Sequence, residues 1–429
     1  MDIIVQGGQV LSGEITPSGS KNSAVCIIPA TILFDKPITL KNIPNITDVT
    51  RLVTTLENLG SKIVWDKENK NLTIDNSKLI YDRVSKENVG NMRGMSLLWG
   101  PMLSRFGKVE FEELPGGCTL GIRSLGPHYD AFKSLNVDIK STSRSVSMDA
   151  KKAKSTTMWL TEMSPTVTEN AIMLSVRLKG RTTIVGAASE PQVQDLCKFL
   201  SAAGAKITGV GSSVIVIEGV DVINPPSEYE ILPDHYEIAT FLALGAATGG
   251  RIRVNNAIPE LFVHINHVFS QFNIDIKYEK GVAIVESDQK IKIISENNQT
   301  LNVKAQPWPG LPVDMLPLFI PIALASKSGS VLFHNWMYES GLFWTSELVK
   351  LGANVIMADP HRVIINAGNE SMGAKLEAPY IIRAVVAMTM CAMIAKGETI
   401  ILNADALYRG HPKFAENLKR LGAKIEEIK

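Results

Sequence analysis

Leu114-Pro-Gly-Gly-Cys-Thr-Leu-Gly-Ile-Arg123 places Cys118 directly after Pro-Gly-Gly, a setting closed to regular helix and central strand, with Arg123 shortly after it. A nearby cation favours the thiolate, and a Gly-rich loop can close over a cleft. The ordinary alternative for a free cysteine is burial as an inert small hydrophobe. That suits Cys26, Cys197 and Cys391, on apolar helix faces, better than Cys118. Asp314 follows the proline-fixed run Gln306-Pro-Trp-Pro-Gly-Leu-Pro-Val313 and is expected to open a helix. A bare N-cap accounts for it; in an electropositive cleft the same carboxylate is a general base. Polar or charged residues recur at the expected starts of apolar helices: Lys21-Asn22, Arg93, Thr168-Glu169-Asn170, Asp234-His235, Asp314 and Arg383. Helix N-termini attract anions and cations placed there strengthen the site, which points to a dianionic or trianionic substrate. Taken singly, each of these residues also reads as an exposed cap or a solvated cation. His128, His235 and His411 lie near these segments without HxxxH or comparable spacing, so no metal is expected. Gly7-Gly8 and Gly116-Gly117 fit neither GxGxxG nor GxxxxGKS.

The elements that position these residues follow a sixfold repeat. LGSKI at Leu59, AGAKI at Ala203, LGANV at Leu351 and LGAKI at Leu421 are one phrase, with degenerate copies LNVDI at Leu135 and FNIDI at Phe272. Their second residues fall at 60, 136, 204, 273, 352 and 422, so six units fill the 429 residues. Each unit reads as an apolar helix, expected over 23–33, 92–103, 168–178, 236–247, 315–325 and 383–395. A small turn and a β-branched strand come next, then an amphipathic helix that runs into the Leu-Gly phrase, and a closing strand such as 214–217 or 362–365. The first helices are apolar around most of their circumference and must be buried, so strands cover helices. Pro225–Asp234 carries three prolines and reads as a linker between halves of three units; Pro17-Ser18-Gly19-Ser20 is a second candidate crossing. Pseudo-symmetric halves joined twice favour a ligand cleft between them.

Composition narrows the class. Lys+Arg 44 against Asp+Glu 43 gives net charge +1, which argues against nucleic acid as a partner. Hydrophobic residues at 45% and charged residues at 20% supply core enough for two or three domains. Four dispersed cysteines imply a reducing compartment and neither disulfides nor zinc. The beginning MDIIVQGGQVLSGE lacks the pattern of a secretion signal, and the longest apolar runs are too short to cross a bilayer. A cytoplasmic protein without membrane partners is expected.

With GSKN at Gly19–Asn22, NMRGM at Asn91–Met95, LPGGCTLGIR at Leu114–Arg123, TEN at Thr168–Asn170, LPD at Leu232–Asp234, PGLPVDM at Pro309–Met315 and YRG at Tyr408–Gly410, the chain resembles the UDP-N-acetylglucosamine enolpyruvyl transferases (1-carboxyvinyltransferases) of peptidoglycan synthesis from end to end. The shikimate-pathway enolpyruvyl transferases share the sixfold architecture but lack the cysteine loop. The resemblance implies an α/β fold, a two-domain inside-out α/β barrel of six βαβαββ repeats. It implies one domain over 21–232 carrying the Cys118 loop, a second from 1–20 plus 233–429, and an active site in the interdomain cleft. By resemblance, phosphoenolpyruvate is held by Lys21, Arg93, Arg123, Arg383 and Arg409; bidentate arginines suit its phosphate and carboxylate. Asp314 is the base, Cys118 the acid, and Lys21 a third catalytic residue. The acceptor meets Asn22, Arg123, Ser164 and Asp314, and neither metal nor organic cofactor is needed.

The departures from the family pattern lie on the acceptor side. Glu162 stands where the family has a lysine near the diphosphate, Pro165-Thr166 replaces Val-Gly, and Ser124-Leu-Gly-Pro-His128 replaces Pro-Val-Asp-Leu-His. Val313, Gly341 and Ile381 take the places of a threonine, an arginine and an aspartate. The expected reaction is transfer of enolpyruvyl from phosphoenolpyruvate to UDP-N-acetylglucosamine. Transfer to another hydroxyl acceptor such as a nucleotide is the alternative, and a catalytically silent binding protein the third reading.

Overall fold

The structure is a computed structural model, and it describes all residues except 90–91, 117–123, 288, 296–298 and 429. Among the described residues the chain divides into two units, one made of Met1–Ser18 with Pro233–Lys429, the other lying within residues 19–232. Each has its own apolar core.

The unit within 19–232 is organised by three helical segments: Lys21–Ala30, Arg93–Leu98 (3-10) continued by Trp99–Phe106, and Pro165–Ser175. Almost every side chain on Pro165–Ser175 is buried, so no polar face is left to turn to water, and the three pack on one another. In the other unit, His235–Thr248, Leu316–Leu318 (3-10) continued by Phe319–Ala325, and Ile382–Ile394 do the same. Sheets cover these helices.

The sheets share one strand order. In Thr157–Trp159, Arg181–Val185, Val214–Glu218 and Lys206–Thr208 the first strand runs parallel to the second, and the two later strands add antiparallel. Leu301–Lys304, Ser330–His334, Arg362–Asn366 and Asn354–Asp359 repeat it. A helix joins first strand to second and another leads from second to third, which is the βαβαββ repeat. Three sheets take a strand from far along the chain. Glu228–Glu230 pairs parallel with Ile38–Lys41, Gly13–Ile15 with Ile252–Val254, and Asp2–Gln6 lies antiparallel between Glu398–Leu402 and Ile425–Ile428. In the remaining sheet, Lys108–Phe111, Val146–Asp149 and Asp138–Ser141, the parallel bridge Val84 to Phe111 stands where a first strand would be.

Several local expectations are corrected. Residues 225–234 are not only a linker, because the partner strand Ile38–Lys41 recruits Glu228–Glu230 despite the flanking prolines. Asp314 does not open a helix: it lies in a turn, and the 3-10 segment begins after Met315, which makes no side-chain cap bond. The first helix begins at Lys21, where Ser20 accepts from the Ser23 N–H, and tightens to 3-10 over Thr31–Leu33. Each unit closes with two strands rather than one. The fifth amphipathic helix, Phe343–Leu351, is 3-10.

The repeated phrase has a backbone cause. Gly60, Gly204, Gly352 and Gly422 sit at φ 98°, 99°, 84° and 97°, and the degenerate copies place Asn136 and Asn273 at φ 62° and 59°. All six end a helix in the left-handed region, which glycine enters freely and asparagine at small cost. Space plays no part at Gly204, since an added Cβ would meet nothing within 4 Å. Gly204→Val is therefore expected to lower stability by about 1–2 kcal/mol, and Gly204→Asn by less, in urea denaturation. Equal losses would mean that the turn does not depend on its backbone angle.

Candidate active site

Lys21 is the first residue of its helix, and its Nζ lies 2.8 Å from Asp48 Oδ2, with side chains only 15% and 8% exposed. A pair this buried loses in desolvation much of what it gains in attraction, so its effect is to fix the ammonium in one direction. Asp48 comes from the first turn of the helix Thr47–Asn58, where the sequence shows only an ordinary N-terminal acid. Asn22 follows Lys21, half-buried. Arg93 opens its 3-10 segment and donates from Nη2 to the Ser124 carbonyl at 2.6 Å. Ser164 precedes Pro165–Ser175 in extended geometry and makes no cap bond. Lys21, Asn22, Arg93 and Ser164 thus all stand at or near starts of the three buried segments. Cys118 and Arg123 lie outside the described residues.

In the other unit, Arg383 is the second residue of its helix and gathers three neighbours. Its Nε is 3.9 Å from Asp314 Oδ2, its Nη1 donates to His411 Nε2 at 2.9 Å, and its Cζ lies 4.9 Å over the Tyr236 ring. A guanidinium can only donate, so His411 accepts at Nε2 and is a neutral imidazole with its proton on Nδ1. Arg409, buried at the end of the 3-10 segment Ala404–Arg409, lies with its Cζ 5.3 Å over Tyr380. Tyr236 is the second residue of one helix, Asp314 precedes the second and Arg383 is the second residue of the third, so the three starts meet. At 3.9 Å the carboxylate of Asp314 is near its cation without a close hydrogen bond. Its side chain is 40% exposed.

His235 is buried beside this group, with its ring 4.2 Å from Tyr236 and 6.0 Å from Trp308. Burial pulls its imidazole down to about 4; Asp234 and Asp314 oppose this and Arg383 adds to it. At neutral pH it adds no charge next to Arg383. Neither ring nitrogen has a hydrogen-bond partner among the described residues. The interactions of Asp48, Tyr236 and Tyr380 went unread in the sequence, because a cation's partner is set by packing rather than spacing.

Of the departures, Glu162 is exposed and Pro165 is the first residue of its helix. Thr166 bonds His128, and Ile381 precedes Ile382–Ile394 in extended geometry. At Gly341 a Cβ would run against Asn335 Nδ2, so a side chain there requires Asn335 to shift. Val313 packs against the core of its unit. Among the described residues no group of three or more His, Cys, Asp or Glu is arranged to hold a metal ion. Cys26, Cys197 and Cys391 are free and buried, as inert thiols are.

Behind Lys21, on Pro165–Ser175, Glu169 is wholly buried. Burial, then the charge of Glu190, pushes its carboxyl up to about 8, so it is mostly protonated at neutral pH. The folded chain therefore holds a proton that the unfolded chain releases between the ordinary value of 4.5 and about 8. Stability falls as pH rises through that window, by at most about 1.4 kcal/mol per pH unit. Glu169→Gln should remove part of this slope, so the variant gains on the parent protein between pH 5 and pH 8 in urea midpoints. Parallel curves would mean that Glu169 is charged when folded.

The sequence profile of the EPSP synthase (3-phosphoshikimate 1-carboxyvinyltransferase) family matches residues 5–426. A UDP-N-acetylglucosamine 1-carboxyvinyltransferase of Borrelia garinii subsp. bavariensis is 35% identical over 99% of both chains. One from Treponema denticola is 36% identical over 99% of both, and one from Bradyrhizobium diazoefficiens 37% over 99% of this chain and 97% of its own. The crystal structure of the enolpyruvyl transferase NikO from Streptomyces tendae superposes with TM-score 0.87 over 99% of this chain and 98% of its own, at 20% identity. An EPSP synthase from Acinetobacter baumannii gives 0.75 over all of both chains at 16% identity. These two establish the fold, that of the enolpyruvyl transferases. The chain belongs to the EPSP synthase family of enolpyruvyl transferases, alongside its UDP-N-acetylglucosamine 1-carboxyvinyltransferases.

Proposed function

We propose that the protein moves the enolpyruvyl group of phosphoenolpyruvate onto a hydroxyl of UDP-N-acetylglucosamine and releases phosphate, a step in making peptidoglycan precursor. The observation that carries this reading is identity of 34–37% across 99% of the chain to proteins named for that activity. Lys21, Arg93, Arg123, Arg383 and Arg409 are assigned to the phosphate and carboxylate of phosphoenolpyruvate. The directed ammonium of Lys21 and the stacked guanidinium of Arg383 support that assignment, because cations already held in place lose little freedom when the anion arrives. Asn22 and Ser164 are assigned to the acceptor.

The acceptor hydroxyl adds through oxygen to C2 of phosphoenolpyruvate while C3 takes a proton. Asp314 receives the hydroxyl proton, and Cys118 is assigned the donation at C3. In the second half the bond from C2 to the phosphate oxygen breaks, C3 gives up a proton, and the enol ether and phosphate remain. The cations stabilise the charge on the departing phosphate. No helix among the described residues is long and apolar enough to cross a membrane. A cytoplasmic place of action is supported by the free thiols of Cys26, Cys197 and Cys391.

Phosphate release from phosphoenolpyruvate, measured with and without UDP-N-acetylglucosamine and checked by product mass, tests the reading. Release that requires the sugar nucleotide, with a product heavier by one enolpyruvyl group, is expected. No release with phosphoenolpyruvate still bound would shift the reading to another hydroxyl acceptor. Asp314→Asn should lower kcat about 10²–10⁴-fold and leave phosphoenolpyruvate affinity by calorimetry within about threefold, because general base catalysis contributes on that scale. Near-normal turnover would remove Asp314 as the base.

A further inference from the structure

The parallel ladder between Glu228–Glu230 and Ile38–Lys41 gives out at the Ile231 N–H, which reaches the Lys41 carbonyl at 3.3 Å. Leu232 lies beyond the end of the partner strand, so its N–H needs another acceptor. Asp195 supplies it. Its Oδ2 accepts from the Leu232 N–H at 3.2 Å, and its Oδ1 accepts from the Tyr229 hydroxyl at 2.6 Å. Asp195 comes from the buried face of the helix Pro191–Ala202 and is 1% exposed, a depth at which a carboxylate is costly unless its oxygens are used. The Tyr229 hydroxyl is also 3.2 Å from the Asp195 carbonyl, and the Phe199 ring stands edge-on to the phenol at 5.0 Å.

The other face of the Leu232 peptide leads to Lys21. The Leu232 carbonyl accepts from the Ser20 N–H at 2.7 Å, and Ser20 Oγ accepts from the Ser23 N–H at 3.2 Å to cap the helix that Lys21 begins. Gly19, one residue earlier, lies so close to Asn42 that an added Cβ would strike its carbonyl. Asp48 aims the Lys21 ammonium, while the main chain at Ser20 decides where that side chain sets out from. One residue, Leu232, thus stands between a buried acceptor and the start of the Lys21 helix. All of these residues belong to the unit within 19–232.

We propose that Asp195 is a positioning residue for phosphoenolpyruvate: through Leu232 it holds Ser20, and so the point from which Lys21 reaches the anion. What the place asks of Asp195 is an acceptor rather than a charge. The ligand half rests on the assignment of Lys21 above; the hold on the helix start does not.

Asp195→Ala removes the acceptor. It should raise the Kd for phosphoenolpyruvate by calorimetry about tenfold and leave KM for UDP-N-acetylglucosamine within about twofold. Asp195→Asn should restore the parent affinity, because its oxygen accepts from Leu232 while its amide donates to the Tyr229 oxygen, whose own hydrogen turns to the carbonyl of residue 195. Tyr229→Phe keeps the Leu232 bond and should lower Tm without moving Kd. Lys21→Ala should bind as weakly alone as with Asp195→Ala, since the second change has nothing left to act through. In amide exchange, Asp195→Ala should speed the Leu232 and Ser20 N–H groups, and phosphoenolpyruvate should slow both in the parent protein, as linkage requires. The parent measurement depends on no variant folding. A parent Kd in Asp195→Ala, an additive loss in the double variant, an equal loss in Tyr229→Phe, or Ser20 exchange unmoved by variant and ligand would overturn the positioning role while the function stands. Failure of Asp195→Asn to restore affinity would overturn the acceptor role. If the parent protein does not bind phosphoenolpyruvate, the function and the ligand half fall together, and Ser20 exchange in Asp195→Ala still decides the hold on the helix start.

Discussion

Everything in this protein depends on six helical segments that are apolar on nearly every side. Such a helix cannot lie on a surface, so three of them pack together in each unit and the sheets are left to cover them. Packing hides the middles of the helices but not their starts, where the first backbone N–H groups have no intrahelical partner. Lys21, Arg93 and Arg383 stand at those starts, although Glu169 and Asn170 are buried farther along Pro165–Ser175. Lys21, Arg93, Ser164, Asp314 and Arg383, the residues assigned to chemistry, stand at or near those starts.

Each of these cations is held by neighbours within its own unit. Lys21 leans on Asp48, Arg383 and Arg409 lie over the faces of Tyr236 and Tyr380, and His411 and His235 are kept neutral beside Arg383. An imidazolium in either place would set a second positive charge beside Arg383. Glu169 is the counterpart on the acidic side, neutral because burial and Glu190 disfavour its ionised form. The neighbouring groups thus leave fixed charge chiefly on residues assigned to substrate.

The strand exchanges tie the order of the chain to its repeats. Asp2–Gln6 fills an inner place in a sheet whose other strands come from the opposite end of the sequence, and Gly13–Ile15 and Glu228–Glu230 supply first strands to other sheets. Near these crossings Asp234 caps its helix through the Tyr236 and Glu237 N–H groups, and Glu237 in turn accepts from the Ser18 N–H at 2.7 Å. The proline-rich stretch around residue 225 read as a linker because proline counts against a strand. The edge offered by Ile38–Lys41 outweighed that local preference, as tertiary pairing often does.

By itself the sequence determined the sixfold plan, because a left-handed turn admits glycine or asparagine and little else, and it recurs in every unit. It also determined that the first helices are buried and that Lys21, Arg93, Asp314 and Arg383 stand near their starts, since periodicity and end signals are local. Only the tertiary structure decided the partners. That Lys21 meets Asp48, that Arg383 gathers Tyr236, His411 and Asp314, and that Asn170 meets His128 depend on which surfaces pack together. The same holds for Asp314 as an uncapping residue in a turn and for Val84 as the remnant of a strand. Local preference is worth tenths of a kcal/mol to about one per residue, and contacts distant in sequence outweigh it wherever they bury more surface or satisfy more polar groups.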